Sequence, residues 1–167
     1  MLLVAALAFG GFGRWGYAMV FPKGSTEVVQ LTPAKRLVLQ SLRAETKFQP
    51  NDYPPLGYTG AESAQDRARG TAAVNGFIDA VLAQPDGPVH AEAVSALIDP
   101  VLQQVDLLDT EDRERTYGYV LEVWYILGFK GATGHFDAGS AFRKPEGYAE
   151  PLPPGWQAPD KPRPIGQ

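Results

Sequence analysis

The chain has 167 residues, no cysteine and a formal net charge of −4, with an isoelectric point near 5.1. This balance argues against a nucleic-acid partner, because phosphate binding requires clustered lysine and arginine, which occur here singly or in pairs. The absence of cysteine from the sequence removes disulfides, thiol catalysis and cysteine-based zinc sites. The length suits one domain with its own core and is short for two.

Residues 1–22 form a hydrophobic segment, in which residues 2–21 are apolar apart from Arg14. About 20 residues suffice to cross a bilayer as a helix, and an arginine near mid-span costs roughly 2.5–3.5 kcal/mol. Glycines make the segment a poor helix for a soluble core. We therefore expect contact with the membrane, as an anchor or as a cleaved signal. A buried helix of the domain is the alternative.

The side of the membrane that the domain faces is left open by two opposite indications. Four basic residues lie within or shortly after the apolar run: Arg14, Lys23, Lys35 and Arg36. By the positive-inside rule they favour a cytoplasmic domain, whereas a signal-like run at the N-terminus favours export. The sequence thus predicts a cell-envelope protein, anchored in the inner membrane or exported to the periplasm.

An all-α domain of about four helices is predicted for residues 31–136, after a linker at residues 23–30. The first helix begins at Thr32-Pro33, a capping residue followed by proline in the first turn. The second spans about residues 61–84, with apolar residues at three- and four-residue spacing in its second half. These helices should form a compact bundle behind the hydrophobic segment.

The third helix is predicted to be interrupted, and the fourth carries the clearest signals. Residues 89–107 have a helical apolar stripe interrupted by Pro100, which predicts a kink or a break at Asp99. The fourth helix should begin at the cap Thr110 and end at Gly128. Its sequence is apolar almost all round, as in a helix that is central to its fold or covered by a partner.

A proline-rich extended tail is predicted for residues 137–167. It is either a disordered terminus or a strap along its own domain or a neighbour, with aromatic anchors. Combined with the fourth helix, it supplies the candidate partner-contact residues, which are apolar or aromatic: Tyr119, Val123, Ile126, Tyr148 and Trp156.

Residues that could carry chemistry are few and poorly placed in the sequence. His90 and His135 belong to no metal-binding spacing, and residues 131–134 lack the Gly-Lys-Ser/Thr ending of a phosphate loop. The acidic residues at 106–112 lack calcium-loop spacing and are explained by helix capping. We therefore expect no enzyme, no cofactor, no metal and no small-molecule ligand.

Two stretches, residues 42–50 (LRAETKFQP) and residues 108–114 (LDTEDRE), lie in an order and at a separation that resemble a bacterial domain family of unknown function. The resemblance covers about residues 31–128 and implies a small helical module without an assigned activity. A weaker likeness, in residues 121–125 and 154–162, is to the small subunit of membrane-bound flavin dehydrogenases. It implies a helical, exported partner protein without its own cofactor.

These observations favour a non-catalytic protein-interaction domain in the cell envelope, with an immunity protein against an exported toxin as one form of it. The alternative is an accessory or structural subunit of a membrane-associated complex, such as a flavin dehydrogenase or another oxidoreductase. In both cases a protein partner is expected, and residues 2–21 would contact the membrane.

Overall fold

The computed structural model describes residues 24–50 and 58–135, and within them the fold is mostly helical, as the sequence predicts. The elements in chain order are β1 (Val28–Leu31), α1 (Pro33–Ala44), α2 (Ala64–Leu82), β2 (Gly87–His90), α3 (Ala91–Ser95), α4 (Ile98–Val105) and α5 (Thr110–Leu127). Four of the helices are longer than α3, which is a single short turn. The predicted hydrophobic segment and proline-rich tail lie outside the described residues.

A small antiparallel sheet joins β1 to β2, with Val29 opposite Val89 and Leu31 opposite Gly87. Residues 28–30 belong to this sheet, so the prediction of a linker is wrong for these three residues. The cause is a long-range pairing: β1 is only four residues long, and its partner lies more than fifty residues away along the chain. A strand this short gives a weak pattern until its partner is known.

Polar residues cap the helices as the sequence predicts, except that the cap of α5 lies one residue earlier. Thr32 caps α1 by accepting a hydrogen bond from the backbone N–H of Lys35, and Ser63 caps α2 in the same way. The cap of α5 is Asp109, whose carboxylate accepts from the N–H of Asp112 at 2.8 Å, and not Thr110 as predicted. Aspartate at this position also places its charge at the positive end of the helix dipole.

The predicted split near Pro100 is present, two residues earlier than expected. Helix α3 ends at Ser95 and α4 begins at Ile98, so the break falls at residues 96–97. Pro100 is the third residue of α4. In the first turn a proline causes little harm, because its missing N–H would have no partner within the helix.

Helix α5 lies at the centre of the fold and ends at Gly128, as predicted, with φ 98°. It packs against α1, α2, α4 and β1. Trp124 and Tyr119 are its largest buried side chains. The sequence left open whether this apolar helix is central to its fold or covered by a partner. In the described structure α5 is central.

The two outer ends of the described domain meet. The backbone N–H of Ser25 donates to the carbonyl of Ala132 at 2.8 Å. A Cβ added at Gly24 would lie 3.7 Å from the Cα of Gly134. Residues 24–25 and 132–134 are therefore neighbours in the fold.

Candidate functional site

Buried polar side chains are the features of the core that call for an explanation, because each must find partners to offset its lost hydration. They are less than one-tenth exposed and fall mostly on α5 or the segments packed against it: Lys47, Asp112, Arg115, Thr116, Glu122 and Thr133. Two groups of contacts account for most of them, one near the start of α5 and one beyond its end.

Near the start of α5, the hydroxyl of Tyr58 donates a hydrogen bond to the carboxyl group of Asp112. Burial raises the pKa of Asp112, and the neighbouring carboxylates of Asp109 and Asp66 add to this, while the Tyr58 bond acts in the opposite direction. Such a carboxyl group can keep its proton more readily than an exposed one. As a buried acid it ties the segment before α2 to the first turn of α5.

Next to this pair, an aromatic and cationic cluster surrounds Tyr119. The ring of Phe48 lies 5.5 Å from that of Tyr119, and the guanidinium carbon of Arg115 lies 3.6 Å from the ring centroid. The ammonium of Lys47 is 5.8 Å from the same centroid. Cations at these distances are attracted by the face of the ring, so the cluster stabilises charge inside the core.

Lys47 and Phe48 come from the first of the two stretches that carry the family resemblance, whereas Arg115 directly follows the second. The fold thus brings the two stretches together at one place, which sequence spacing could not show. Lys47 is buried because its ammonium donates to the carbonyls of Leu42 at 2.5 Å and Arg43 and Glu45 at 3.1 Å. It caps the end of α1.

Beyond the end of α5, a histidine lies within hydrogen-bond distance of both a serine and an aspartate. The Nε2 of His135 is 3.0 Å from Asp99 Oδ1, and its Nδ1 is 3.3 Å from Ser95 Oγ. The same three residue types form the triad of serine hydrolases. Ser95 and Asp99 are near each other in the sequence, but His135 lies in a distant segment, so no spacing signal could have indicated the group.

The hydrogen-bond directions differ from those of an activated serine. The hydroxyl of Ser95 donates to the carbonyl of Thr133 at 2.7 Å, a shorter distance than that to the imidazole. The Nδ1 of His135 also faces this carbonyl, at 3.2 Å. A general base must instead accept the proton of the nucleophile. The trio therefore fastens the loop after α5 to α3 and α4.

The carboxylate of Glu27 fastens the other side of this loop. Its Oε2 accepts hydrogen bonds from the backbone N–H groups of Gly131 at 2.8 Å and Lys130 at 3.0 Å, and from the hydroxyl of Ser25 at 2.8 Å. The Gly131 bond, then the Ser25 bond, lower the pKa of Glu27, because both favour the ionised form. The indole of Trp124 also donates to the Gly131 carbonyl at 2.9 Å.

Three of the five predicted partner-contact residues lie in the described ranges, and none of these three is at the surface. Tyr119, Val123 and Ile126 are at most 2% exposed and belong to the core, so their expected contact with a partner is replaced by contact with the domain itself. The physical reason is the central position of α5, whose faces are covered by other elements. Tyr148 and Trp156 lie outside the described residues.

Among residues 24–50 and 58–135, no group of three or more histidine, aspartate or glutamate residues is placed to hold a metal ion. In these ranges no helix combines the length and the apolar character needed to span a bilayer. The predicted membrane segment at residues 2–21 is outside them.

The fold and its buried contacts define a small, mostly helical domain with two fastened ends. A family model described as a domain of unknown function (DUF4844) matches residues 30–138, and the chain belongs to this family. This confirms the predicted resemblance to a small domain family of unknown function. No curated protein and no solved structure matches the chain. The weaker likeness to the small subunit of flavin dehydrogenases is not supported by these comparisons.

Proposed function

We propose that the chain is a non-catalytic protein-interaction domain of the cell envelope, with residues 2–21 contacting the membrane. The observation that carries this proposal is a set of large apolar side chains that stand in solvent. They are Val28 on β1 at 50% exposure, Leu37 on α1 at 59% and Leu107 between α4 and α5 at 81%. A partner that covered such side chains would remove apolar surface from water, which favours association.

The polar contacts support a binding role over a catalytic one. The groups best suited to chemistry are engaged by the domain's own atoms, as in the bond from Ser95 to the Thr133 carbonyl and the bond from Tyr58 to Asp112. The acidic surface and the apolar N-terminal run favour an immunity protein against an exported toxin as the specific form of this function.

A test is to extract the tagged full-length protein from membranes and to identify by mass spectrometry both its mature N-terminus and its co-purifying proteins. We expect a partner in stoichiometric amount, lost when Leu37, Val28 or Leu107 is replaced by aspartate. The matched control is Gln103→Asp, which adds the same charge at an exposed position of α4. Recovery of a lone monomer, or equal recovery with all variants, would contradict the proposal.

The alternative function is an accessory or structural subunit of a membrane-associated oxidoreductase. It is favoured by the proline-rich sequence of residues 137–167, which suits wrapping along a larger partner. The same purification distinguishes the two functions. An accessory subunit would be recovered with a large flavin- or haem-containing protein, whereas an immunity protein would be recovered with a toxin.

A further inference from the structure

The loop of residues 129–135 is held to the domain at both of its ends, and one fastening depends on a single charged oxygen. Oε2 of Glu27 accepts from three donors, Ser25 Oγ, Lys130 N and Gly131 N. Hydrogen bonds to an ionised carboxylate are about twice as strong as those between neutral groups. Three donors converging on one oxygen are therefore arranged for a full negative charge.

The other hydrogen bonds between the loop and the domain mostly join neutral groups. Each of them forms only when the loop lies against the domain. They are the bonds from Ser25 N to the Ala132 carbonyl, from the Trp124 indole to the Gly131 carbonyl, and from the Ser95 hydroxyl to the Thr133 carbonyl. At the far end, the imidazole of His135 meets the carboxylate of Asp99. Among these contacts, none joins residues 24–27 to the loop by a charged group, whereas the Glu27 carboxylate does so.

The charged group that faces Glu27 from the loop is the Lys130 ammonium, which favours the ionised carboxylate. From the side of β2 and α3, the contact is the backbone N–H of Ala91, which donates to the Glu27 carbonyl at 2.8 Å. Glycine at position 131 is required by this arrangement, because a Cβ there would lie 2.7 Å from Ser25 Oγ. The loop and Glu27 are thus fitted closely to each other.

We propose that residues 130–132 form an acid-sensitive clasp, which is closed against residues 24–27 while Glu27 is ionised and opens when that carboxylate takes up a proton; the buried ring of Phe129 stays in the core. The clasp controls whether the two outer ends of the domain stay together. This inference is independent of the proposed function, because it concerns the described residues themselves.

The direction of the pH effect follows from the lowered pKa of Glu27. A carboxyl group whose pKa is lower in the closed form contributes its stabilisation above its ordinary pKa, and loses it as the pH falls through the lowered value. The clasp is therefore closed at neutral pH and opens in acid.

The experiment is a titration of the full-length, isotope-labelled protein followed by NMR, from about pH 7 to about pH 3, a range that spans the ordinary titration of glutamate. We expect the amide proton resonances of Lys130 and Gly131 to move upfield together. The Trp124 indole proton should move with the same midpoint, because its acceptor, the Gly131 carbonyl, leaves with the loop. This measurement on the unmodified chain needs no variant.

Three variants make the result specific. In Glu27→Gln the titration of these three resonances should disappear, and in Gly131→Ala they should lie near their acid positions already at neutral pH. Asp79→Asn removes another carboxylate of lowered pKa, which pairs with Arg43 away from the loop, and should leave the titration unchanged. The proposal is overturned if the two amides titrate while the Trp124 indole stays fixed, or if Glu27→Gln titrates like the parent.

Discussion

Phe48 has a left-handed backbone conformation, φ 59°, which is unusual for a residue with a side chain. Conformations of this kind cost about 1–3 kcal/mol and persist where the surroundings impose them. Here the ring is fully buried beside Tyr119. It also occupies the place that a side chain at position 70 would fill, since a Cβ on Gly70 would lie 2.7 Å from its Cζ. Phe48 and Gly70 are therefore a matched pair.

Two glycines of α2 provide a test of this pairing. We expect Gly70→Ala to lower the free energy of unfolding by about 1–3 kcal/mol, as overpacking does in a filled core. Gly76→Ala should instead raise it by up to about 1 kcal/mol, because alanine is the better helix former and no atom lies within 4 Å of the new Cβ. Urea denaturation of both variants measures the difference, and equal effects would show that Phe48 does not constrain position 70.

At the scale of the elements, long basic side chains from elsewhere in the chain hold the ends of the helices. Lys35 donates to the carbonyl of Leu127 at the end of α5, and Arg36 donates to the carbonyl of Leu82 at the end of α2. Lys47 does the same for α1. Because a helix end carries carbonyls without partners and a partial negative charge, these cations satisfy both needs.

Lys35 and Arg43 allow this role to be compared with that of an exposed ion pair. Lys35→Met keeps the length of the side chain but removes the bonds to Leu127 and Gln30, so we expect a loss of about 1–3 kcal/mol. Arg43→Met breaks only the exposed pair with Asp79, so we expect a much smaller loss, because solvent screens a pair of this kind. Urea denaturation is again the measurement, and an equal loss in both variants would contradict the capping role.

Elements whose signals are local could be predicted from the sequence. The cap and the proline of α1, the break before Pro100 and the glycine that ends α5 are of this kind, because each depends on a few neighbouring residues. The two-stranded sheet, the Tyr58–Asp112 pair and the meeting of Ser95, Asp99 and His135 join distant segments. The sequence contains the residues but not their separation in space.

The burial of Tyr119, Val123 and Ile126 is also a property that the sequence alone could not predict. A helix with apolar residues on all sides indicates complete coverage, and the pattern does not say whether the cover is the same chain or another. Only the packing of α1, α2, α4 and β1 around α5 decides this.

At the scale of the whole molecule, the described domain closes on itself, and a pair of fragments tests whether it is self-sufficient. We expect a fragment of residues 24–135 to unfold in a single transition, with a free energy of unfolding near that of the full chain. A fragment of residues 24–128 lacks the Glu27 contacts and the buried ring of Phe129, which lies 4.4 Å from that of Trp124. Removing such a ring costs about 3–5 kcal/mol, so this fragment should be far less stable.

Thermal and urea unfolding of the two fragments and the full chain provide the measurement. If residues 24–135 failed to fold, segments outside the described ranges would have to contribute to the core. If both fragments were equally stable, the loop after α5 would be an appendage of the fold.

The neighbouring positions of Gly24 and Gly134 have a consequence for how this domain can be combined with other proteins. A unit whose ends lie side by side can be inserted into a surface loop of a host protein without forcing the two sides of that loop apart. An excised segment of residues 24–135 is therefore suited to insertion into a host protein, where it would add an acidic, helical module and leave the host's own backbone path almost unchanged.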